Sequence, residues 1–325
     1  MKVHRDLANL PSFNKAVITI GTFDGVHLGH TQIIRQLKQE ASNIGGETVI
    51  ITFHPHPRSI VGDTVSVKLI TTPEEKIALL QSHQVDHLVI VPFNEQFSKL
   101  SADEYVTDFL YKKFNPHTLI IGYDHKFGNG RKGDYKLLEA YGKKLGFEVK
   151  EISEQVLNEI VISSTQIRKA LLHSDIATAN KLLGYSYTFE GQVIEGDKIG
   201  RTIGYPTANL QILNEDKLVP GDGIYAVTVH RSSQMADSNG SSMNDQPSTI
   251  HLSGMMYIGS RPVVNGKRRV VEVNIFDFNA DIYGENLRVY VHHYIRGDMK
   301  LDGLEALKQQ LADDKIETQK LLTNS

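Results

Sequence analysis

The first half of the chain alternates between short apolar runs and segments with helical spacing, and this alternation limits the fold more than any other feature of the sequence. After the first run, residues 31–44 place their apolar side chains at the period of one helix face. Strands separated by single helices pair in parallel through right-handed crossovers. We therefore predict a doubly wound α/β domain, with ligands at the carboxyl ends of its strands. The predicted strands cover residues 15–20, 47–53, 87–91 and 117–122.

Helical segments are predicted at three further places in this domain. Thr72 followed by Pro73 and Glu75 is typical of a capped helix start, with proline in the first turn. Residues 102–111 also have helical character. Residues 163–183 do as well, and we expect them to close the domain.

The pattern changes after residue 183, where short runs with strand character are separated by glycine, asparagine and aspartate. Such runs indicate a small antiparallel β-barrel. Residues 231–248 are poor in apolar side chains and predict a mobile hairpin extension, whereas leucines at helical spacing after residue 301 predict a terminal helix. The chain thus divides into a first domain at 1–183 and a second at 184–325. The predicted barrel strands cover residues 187–194, 223–230, 249–258, 270–278 and 286–294.

Composition excludes several classes of protein. The chain has no cysteine, which rules out disulfides, thiolate metal sites and a cysteine nucleophile. Its formal charge of −3 argues against a protein that coats nucleic acid. The N-terminus lacks the apolar core of a signal peptide, and no run reaches the length of a membrane span. These observations predict a soluble cytoplasmic protein without a nucleic-acid or membrane partner.

The segment GTFDGVHLGH, residues 21–30, follows the first predicted strand. His27 and His30 are three residues apart, so one helical turn places both imidazoles on the same side. The first turn of a helix offers unpaired N–H groups that suit phosphate, and imidazoles there can donate to phosphate oxygens as charge develops. The spacing indicates a phosphate or nucleotide site, although it is neither a GxxxxGK[ST] loop nor a GxGxxG motif. In the alternative interpretation, the histidines only cap or solvate the helix start.

This segment resembles the HxGH signature of the nucleotidyltransferase superfamily, in the form found in bacterial bifunctional FAD synthetases. Those proteins join an N-terminal FMN adenylyltransferase, with a Rossmann-like fold, to a C-terminal riboflavin kinase. Three later segments resemble further motifs of the first module: TFHPHPRSI at 52–60, GYDHKFGNGRKGD at 122–134 and ISSTQIRKAL at 162–171. One departure is His125, where the family usually has phenylalanine. The resemblance implies that His27, His30 and Arg168 act in catalysis, and that ATP contacts Gly21, Phe23, Asp24, Gly29, Asp124, Ser164 and Thr165.

The second half contains GQVIEGDKIGRTIGYPTANL at 191–210, which resembles the riboflavin kinase signature and ends in PTAN. A glycine-rich loop of this kind can cradle phosphates with its backbone N–H groups. Thr207 and Asn209 face the same side of a strand and offer neutral oxygens that Mg²⁺ accepts when it also binds ATP. The predicted phosphate-binding residues of the loop are Gly196, Lys198, Gly200 and Arg201.

Glu272 lies inside the apolar run VVEVNIFDF, where a carboxylate is costly unless it faces a site. The alternative is a position on a solvated outer face of the barrel. Resemblance to riboflavin kinases implies that Glu272 is the general base for the ribityl 5′-hydroxyl. A departure from the kinase pattern occurs at Val263 and Val264, where the family more often has an RPT sequence.

Taken together, the resemblance implies two activities that use riboflavin, FMN and ATP with Mg²⁺. The kinase would phosphorylate riboflavin to FMN, and the adenylyltransferase would convert FMN to FAD with release of pyrophosphate. Two other interpretations stay open at this point. One is an adenylyltransferase for another acceptor, such as pantetheine phosphate or nicotinamide mononucleotide, which leaves the PTAN half unexplained. The other is a flavin-binding or RNA-binding protein without turnover.

Overall fold

The computed structural model describes residues 1–61, 67–122, 125–152, 163–196, 199–231, 250–263 and 266–323. The chain forms two compact units, Met1–Ser164 and Thr165–Ser325. The predicted hairpin extension at 231–248 lies outside the described residues, apart from Arg231 at its start.

The first unit is built on a parallel sheet, as the alternating pattern predicted. Its strand order among the described residues is β1-β4-β3-β2-β5-β6, and every neighbouring pair is parallel. The order reverses between β2 and β5, so the loops after these two strands flank the point at which doubly wound sheets bind ligands. The strands are β1 (Lys2–His4), β2 (Val17–Ile20), β3 (Thr48–His54), β4 (His87–Pro92), β5 (Thr118–Ile121) and β6 (Glu148–Glu151).

Helices cover both faces of this sheet, which is why its central strands are continuously apolar. Alternate residues of β2 belong to different core clusters, with Ile18 on one face and Val17 on the other. The predicted capping box at Thr72 and Glu75 is confirmed. A π-helix at Tyr105–Tyr111 and a 3₁₀ turn at Asn129–Arg131 accompany the α-helices. The latter are α1 (Leu28–Ile44), α2 (Pro57–Val61), α3 (Pro73–Ser82), α4 (Glu95–Ser98), α5 (Ala102–Glu104), α6 (Lys112–Phe114) and α7 (Tyr135–Leu145).

The second unit contains a closed antiparallel barrel with the strand order β10-β11-β8-β7-β12-β9. The predicted fold class, a doubly wound α/β domain followed by a small barrel and a terminal helix, is therefore confirmed. The barrel strands are β7 (Tyr187–Ile194), β8 (Ala208–Gln211), β9 (Gly223–Arg231), β10 (Ile250–Val263), β11 (Gly266–Ile275) and β12 (Asn286–Arg296). The helices are α8 (Ser164–Leu172), α9 (Ile176–Leu183), α10 (Ile199–Thr202) and α11 (Leu304–Thr323).

The segment 163–183 differs from its prediction in two ways. It forms two helices rather than one, because Ser174 between them adopts a positive φ of 61°. The segment was expected to close the first domain, yet Asn180 on α9 donates from Nδ2 to the carbonyl of Val291 on β12 at 2.9 Å. The hydroxyl of Tyr225 on β9 also donates to Ser174 Oγ at 2.9 Å. By its packing, most of this segment belongs with the barrel.

Candidate active sites

The corner after β2 carries the two histidines that were predicted to act on phosphate. His27 is buried at the N-cap of α1, where its Nδ1 accepts a hydrogen bond from the backbone N–H of His30 at 3.4 Å. An accepting Nδ1 carries no proton, so the neutral ring of His27 is protonated on Nε2. Helix capping is thus a real role of His27, and it also determines which nitrogen of the ring can donate to a ligand.

The two imidazoles are stacked, with ring centroids 3.7 Å apart, and Phe23 packs against His30 at 4.7 Å. The Nδ1 atom of His30 is buried and has no hydrogen-bond partner among the described residues. Burial lowers the pKa of His30 well below 6.5, and the neighbouring His27 and Lys76 lower it further. At neutral pH, His30 is therefore an uncharged imidazole at a helix N-terminus, with a covered nitrogen that a ligand can pair.

Asp24 has a different position from the one expected of a residue that touches phosphate. It is 1% exposed, and its carboxylate accepts hydrogen bonds from the backbone N–H groups of Ile70 at 3.1 Å and Thr71 at 3.0 Å. These bonds tie the loop after β2 to the segment that leads into α3. Ser164 fastens the same loop, because its Oγ donates to the carbonyl of Asp24 at 3.0 Å. The phosphate contacts of Asp24 and Ser164 stay predictions.

Lys76 is a residue of this corner that the sequence analysis missed. It lies on α3, and its Nζ donates to the carbonyl of Thr22 at 2.6 Å and to the hydroxyl of Thr52 at 3.3 Å. Burial lowers the pKa of Lys76 to about 8, and the carboxylate of Asp24 opposes that shift. An amino group whose pKa lies so close to neutrality is common at functional sites.

A cavity of about 690 Å³ opens at the carboxyl ends of the central strands, beside the same corner. Segments after β2, β3, β4 and β5 all contribute to its wall, and the TFHPHPRSI and GYDHKFGNGRKGD segments meet there. Two kinds of side chain are prominent in its lining, aromatic rings and basic or imidazole groups. The rings belong to Phe53, Phe93, Phe97, Tyr105 and Phe127, and the basic or imidazole groups to His56, Arg58, His125, Lys126 and Arg131.

In the barrel, Glu272 lies on β11 and is only 7% exposed, so the solvated outer face considered above is wrong. Arg261 on β10 places Nη2 2.6 Å from Glu272 Oε1, and Thr207 Oγ1 donates to Glu272 Oε2 at 3.4 Å. The buried carboxylate is therefore both charge-compensated and hydrogen-bonded, as a buried charge requires.

The PTAN segment is held against this carboxylate by close packing. Asn209 on β8 lies directly opposite Glu272 in the β8–β11 register. Gly196 has no room for a side chain, because the amide of Asn209 occupies the space that a Cβ would need. Asn274, two residues after Glu272, donates from Nδ2 to the carbonyl of Pro206 at 2.7 Å. These contacts fix the backbone on both sides of Thr207.

Two cavities meet at Thr207, which lines both. The smaller, of about 270 Å³, also contains Glu272, Arg261 and residues of α11. The larger, of about 570 Å³, is lined by Arg201, by Val273 on the opposite face of β11 and by the segment 278–283. A group bound in one cavity can therefore come next to a group bound in the other, close to Glu272.

The terminal helix α11 forms one wall of the smaller cavity. Asp314 on this helix is 2% exposed and accepts two hydrogen bonds from Arg296 at the end of β12, from Nε at 2.8 Å and from Nη2 at 2.7 Å. Bidentate pairs of this kind combine charge with a fixed geometry. The pair holds α11 against the barrel beside the cavity.

For the remaining predicted site residues, no contact within the part of the chain that the structure describes tests the predicted role. Asp124 and Lys198 lie outside the described residues. Thr165 and Arg168 lie in the first two turns of α8, beyond the division between the compact units. Their phosphate contacts stay predictions, as do those of Gly21, Gly29 and Gly200. Besides Lys76, the sequence analysis missed Arg261. Strand alternation does predict that Asn274 shares a face with Glu272, and both line the smaller cavity.

Comparisons with known proteins give a consistent result over both units. Residues 10–166 match the family model described as FAD synthetase, and residues 183–322 match that of riboflavin kinase. A bifunctional riboflavin kinase/FMN adenylyltransferase from Buchnera aphidicola subsp. Schizaphis graminum is 36% identical over 97% of this chain and 96% of its own. A protein of the same description from Listeria monocytogenes is 38% identical over 93% of this chain and 91% of its own.

A solved structure from Streptococcus pneumoniae, described as a macrolide-efflux protein, is similar to this chain along nearly its whole length. It has a TM-score of 0.82 and 30% identity, and covers 98% of each chain. In the part of the present chain that the structure describes, no helix has the length and apolar character needed to cross a membrane.

Proposed function

The chain belongs to the family of bifunctional riboflavin kinases/FMN adenylyltransferases, and from that membership we propose that the His27–His30 corner performs adenylyl transfer and that the Glu272 site performs phosphoryl transfer. The enzyme phosphorylates riboflavin to FMN and adenylylates FMN to FAD, with ATP as the second substrate of each step. The observation that carries the assignment of the kinase residues is the meeting of two cavities at Thr207 beside a buried glutamate.

For the kinase step, riboflavin occupies the smaller cavity and ATP the larger one. The ribityl 5′-hydroxyl and the γ-phosphate then meet at Thr207. Glu272 accepts the proton of the hydroxyl as its oxygen attacks phosphorus, and ADP leaves. Arg261 pairs with the carboxylate before the reaction, so a hydroxyl that approaches Glu272 replaces part of that contact. Phosphoryl transfer depends chiefly on such positioning and on charge stabilisation.

Thr207 and Asn209 are proposed to hold Mg²⁺ together with the phosphates of ATP. Their side chains offer neutral oxygens beside a buried carboxylate, a donor set that suits a hard cation. Within the described residues, no group of three or more histidine, aspartate or glutamate residues is arranged to hold a metal ion. The ATP phosphates and water would therefore complete the coordination. When bound, the ion would neutralise charge on the phosphates.

For the adenylyl step, the flavin ring of FMN occupies the aromatic cavity and its phosphate lies toward the histidine corner. An FMN phosphate oxygen attacks the α-phosphorus of ATP, the bond to the β-phosphate oxygen breaks, and pyrophosphate leaves. No general base is required, because the attacking phosphate is already anionic. Imidazole N–H groups of His27 and His30 stabilise the negative charge that develops on the phosphates. Arg168 and Thr165 are proposed to contact the same phosphates.

The test is to measure each step separately on single variants of the full chain. His30→Ala should abolish FAD formation from FMN and ATP while FMN formation from riboflavin continues. Glu272→Gln, which keeps the shape of the side chain but cannot accept the proton, should do the reverse. One substitution that removes both activities from a folded protein would contradict the assignment. A division of the two activities at 183/184 and a cytoplasmic location stay predictions, whereas the compact units of the structure divide between Ser164 and Thr165.

A further inference from the structure

Lys76 occupies a position that its sequence environment does not explain. It belongs to the segment PEEKIALL of α3, where a lysine would ordinarily extend into solvent. Its ammonium group instead points inward and donates to the carbonyl of Thr22, two residues after β2, and to the hydroxyl of Thr52 within β3. These two strands are the central ones of the sheet. An ammonium has three donors, and among the described residues only these two acceptors are found. Removing an ammonium from water is unfavourable, so this position calls for a reason.

The groups around Lys76 are not sufficient to explain its charge as structural. Asp24, the carboxylate that raises the pKa of Lys76, already accepts hydrogen bonds from the backbone N–H groups of Ile70 and Thr71. Lys76 is close enough to His30 to lower the pKa of that imidazole. His54 and His56 share a small cavity with Lys76 and add no negative charge. Asp24 raises the pKa of Lys76, but its carboxylate is shared with backbone N–H groups. The ammonium is therefore still able to attract an anion.

Adenylyl transfer brings two anions together at this corner, the phosphate of FMN and the triphosphate of ATP. Their mutual repulsion opposes the reaction unless fixed positive charge offsets it. His30 cannot supply that charge when free of ligand, because it is uncharged at neutral pH. Lys76 lies close enough to act electrostatically on His30, and its own pKa of about 8 leaves it largely protonated at neutral pH.

We propose that Lys76 supplies a partly buried positive charge to the adenylyl-transfer corner. Its ammonium group holds the loop after β2 through Thr22 and draws the ATP polyphosphate toward His27 and His30. Adenylyl transfer then requires Lys76 to be protonated. The inference rests on the proposed role of the histidine corner. Lys76 is a positioning residue, since it acts through Thr22 and through the potential at the histidines.

Charge and hydrogen bonding can be separated experimentally, because an uncharged amine still donates to the Thr22 carbonyl. The pKa of Lys76 is about 8 in the free enzyme. If the positive charge of Lys76 is required, kcat/KM for ATP in FAD formation falls as the pH rises above about 8. The slope of that fall corresponds to the loss of a single proton. Bound polyphosphate stabilises the ammonium, so the corresponding fall in kcat lies at higher pH. A lysine that acts only as a structural hydrogen-bond donor gives neither effect.

The experiment measures FAD formation from FMN and ATP between about pH 6.5 and pH 10, using the full chain and its variants. Lys76→Met should lower kcat/KM for ATP roughly tenfold to a hundredfold near neutral pH, as expected when a charged interaction is lost, and should remove the fall near pH 8. Lys76→Arg, which keeps its charge, should retain activity above that pH. Riboflavin kinase activity of each variant reports that the second unit is intact, and hydrogen exchange in peptides from β2 and β3 reports that the first unit is folded.

Lys38→Met is the matched control. Lys38 also donates from Nζ to a backbone carbonyl, that of His83 at 3.1 Å, but this contact lies at the C-terminal end of α3. Its replacement should leave both activities and their pH profiles unchanged. Unchanged kcat/KM in Lys76→Met, or a fall near pH 8 that persists in this variant, overturns the inference. If His30→Ala still forms FAD, the proposed function itself fails, so the two failures are distinguishable.

Discussion

Replacing Lys76 by methionine should stabilise the first unit near neutral pH. Methionine has a similar length and no charge to desolvate. The fall in the pKa of Lys76 from 10.5 to about 8 means that keeping the ammonium in the folded chain costs about 3 kcal/mol, since each pH unit corresponds to about 1.4 kcal/mol. The lost hydrogen bonds offset roughly 1 kcal/mol of that gain, because Thr52 Oγ1 still donates to the Thr22 carbonyl at 2.9 Å. The expected net gain is about 2 kcal/mol.

The stability difference between the Lys76→Met variant and the wild type changes sign with pH. The folded pKa lies below the unfolded one, so the unfolded chain binds more protons between about pH 8 and pH 10.5. Across that interval the wild-type protein becomes more stable, and the cost of Lys76 disappears. By the upper end, the methionine variant should be less stable than the wild type by roughly 1 kcal/mol, which is the contribution of the lost hydrogen bonds.

Urea unfolding followed by circular dichroism near pH 7 and near pH 10 measures the difference. Native-state hydrogen exchange in peptides from β2 and β3 assigns the transition to the first unit. Lys38→Met, in which the replaced lysine also donates to a carbonyl, shows the effect of the same chemical change at another position. A stability difference that does not vary with pH, or a loss of stability near neutral pH, would refute the reasoning.

Two further substitutions test the barrel site. Asp314→Ala removes the bidentate carboxylate partner of Arg296, which should weaken the attachment of α11 to the barrel by about 3 kcal/mol. The KM for riboflavin should rise severalfold while the KM for ATP changes little. An equal rise in both KM values would contradict the role given to α11. Gly196→Ala should lower kinase activity, because the Cβ of the alanine would displace the amide of Asn209. FAD formation from FMN by the same variant is the internal reference. Unchanged kinase activity would contradict this packing.

The sequence allowed the central strands to be predicted because burial on both faces makes them continuously apolar. The outer strands β1 and β6 were missed for the converse reason. Their sequences, KVH and EVKE, contain charged side chains that remain wholly or partly accessible. Nothing local distinguishes them from loops, and they become strands only through pairing with β4 and β5. Their formation is a tertiary effect, which local patterns do not record.

The site residues also divide into those that a local sequence pattern identifies and those that only the tertiary structure reveals. Glu272 could be selected because a carboxylate in an apolar strand is conspicuous, and the structure gives it the partners that burial requires. Lys76 could not be selected, because a lysine that follows two glutamates on a helix is typical of a solvent-exposed face. Asp24 was assigned to phosphate from its position in a motif, whereas its carboxylate is engaged by backbone N–H groups from residues more than forty positions away.

The aromatic cavity was also beyond the reach of sequence reasoning. Its rings come from β3, from the segment after β4, from the π-helix and from the loop after β5. In the sequence they are separate apolar residues of unrelated elements. Only the parallel sheet, which brings the carboxyl ends of its strands to one edge, collects them into one pocket.

The central claim is that one chain carries two separate sites, and mixing two inactivated variants tests it most directly. His30→Ala given riboflavin, ATP and Mg²⁺ should accumulate FMN without FAD, and Glu272→Gln should form neither product. The mixture of the two proteins should convert riboflavin to FAD in a chromatographic time course, with FMN appearing first, because the first variant releases FMN that the second adenylylates. FAD formation by either variant alone, or no FAD from a mixture of folded proteins, would contradict the account.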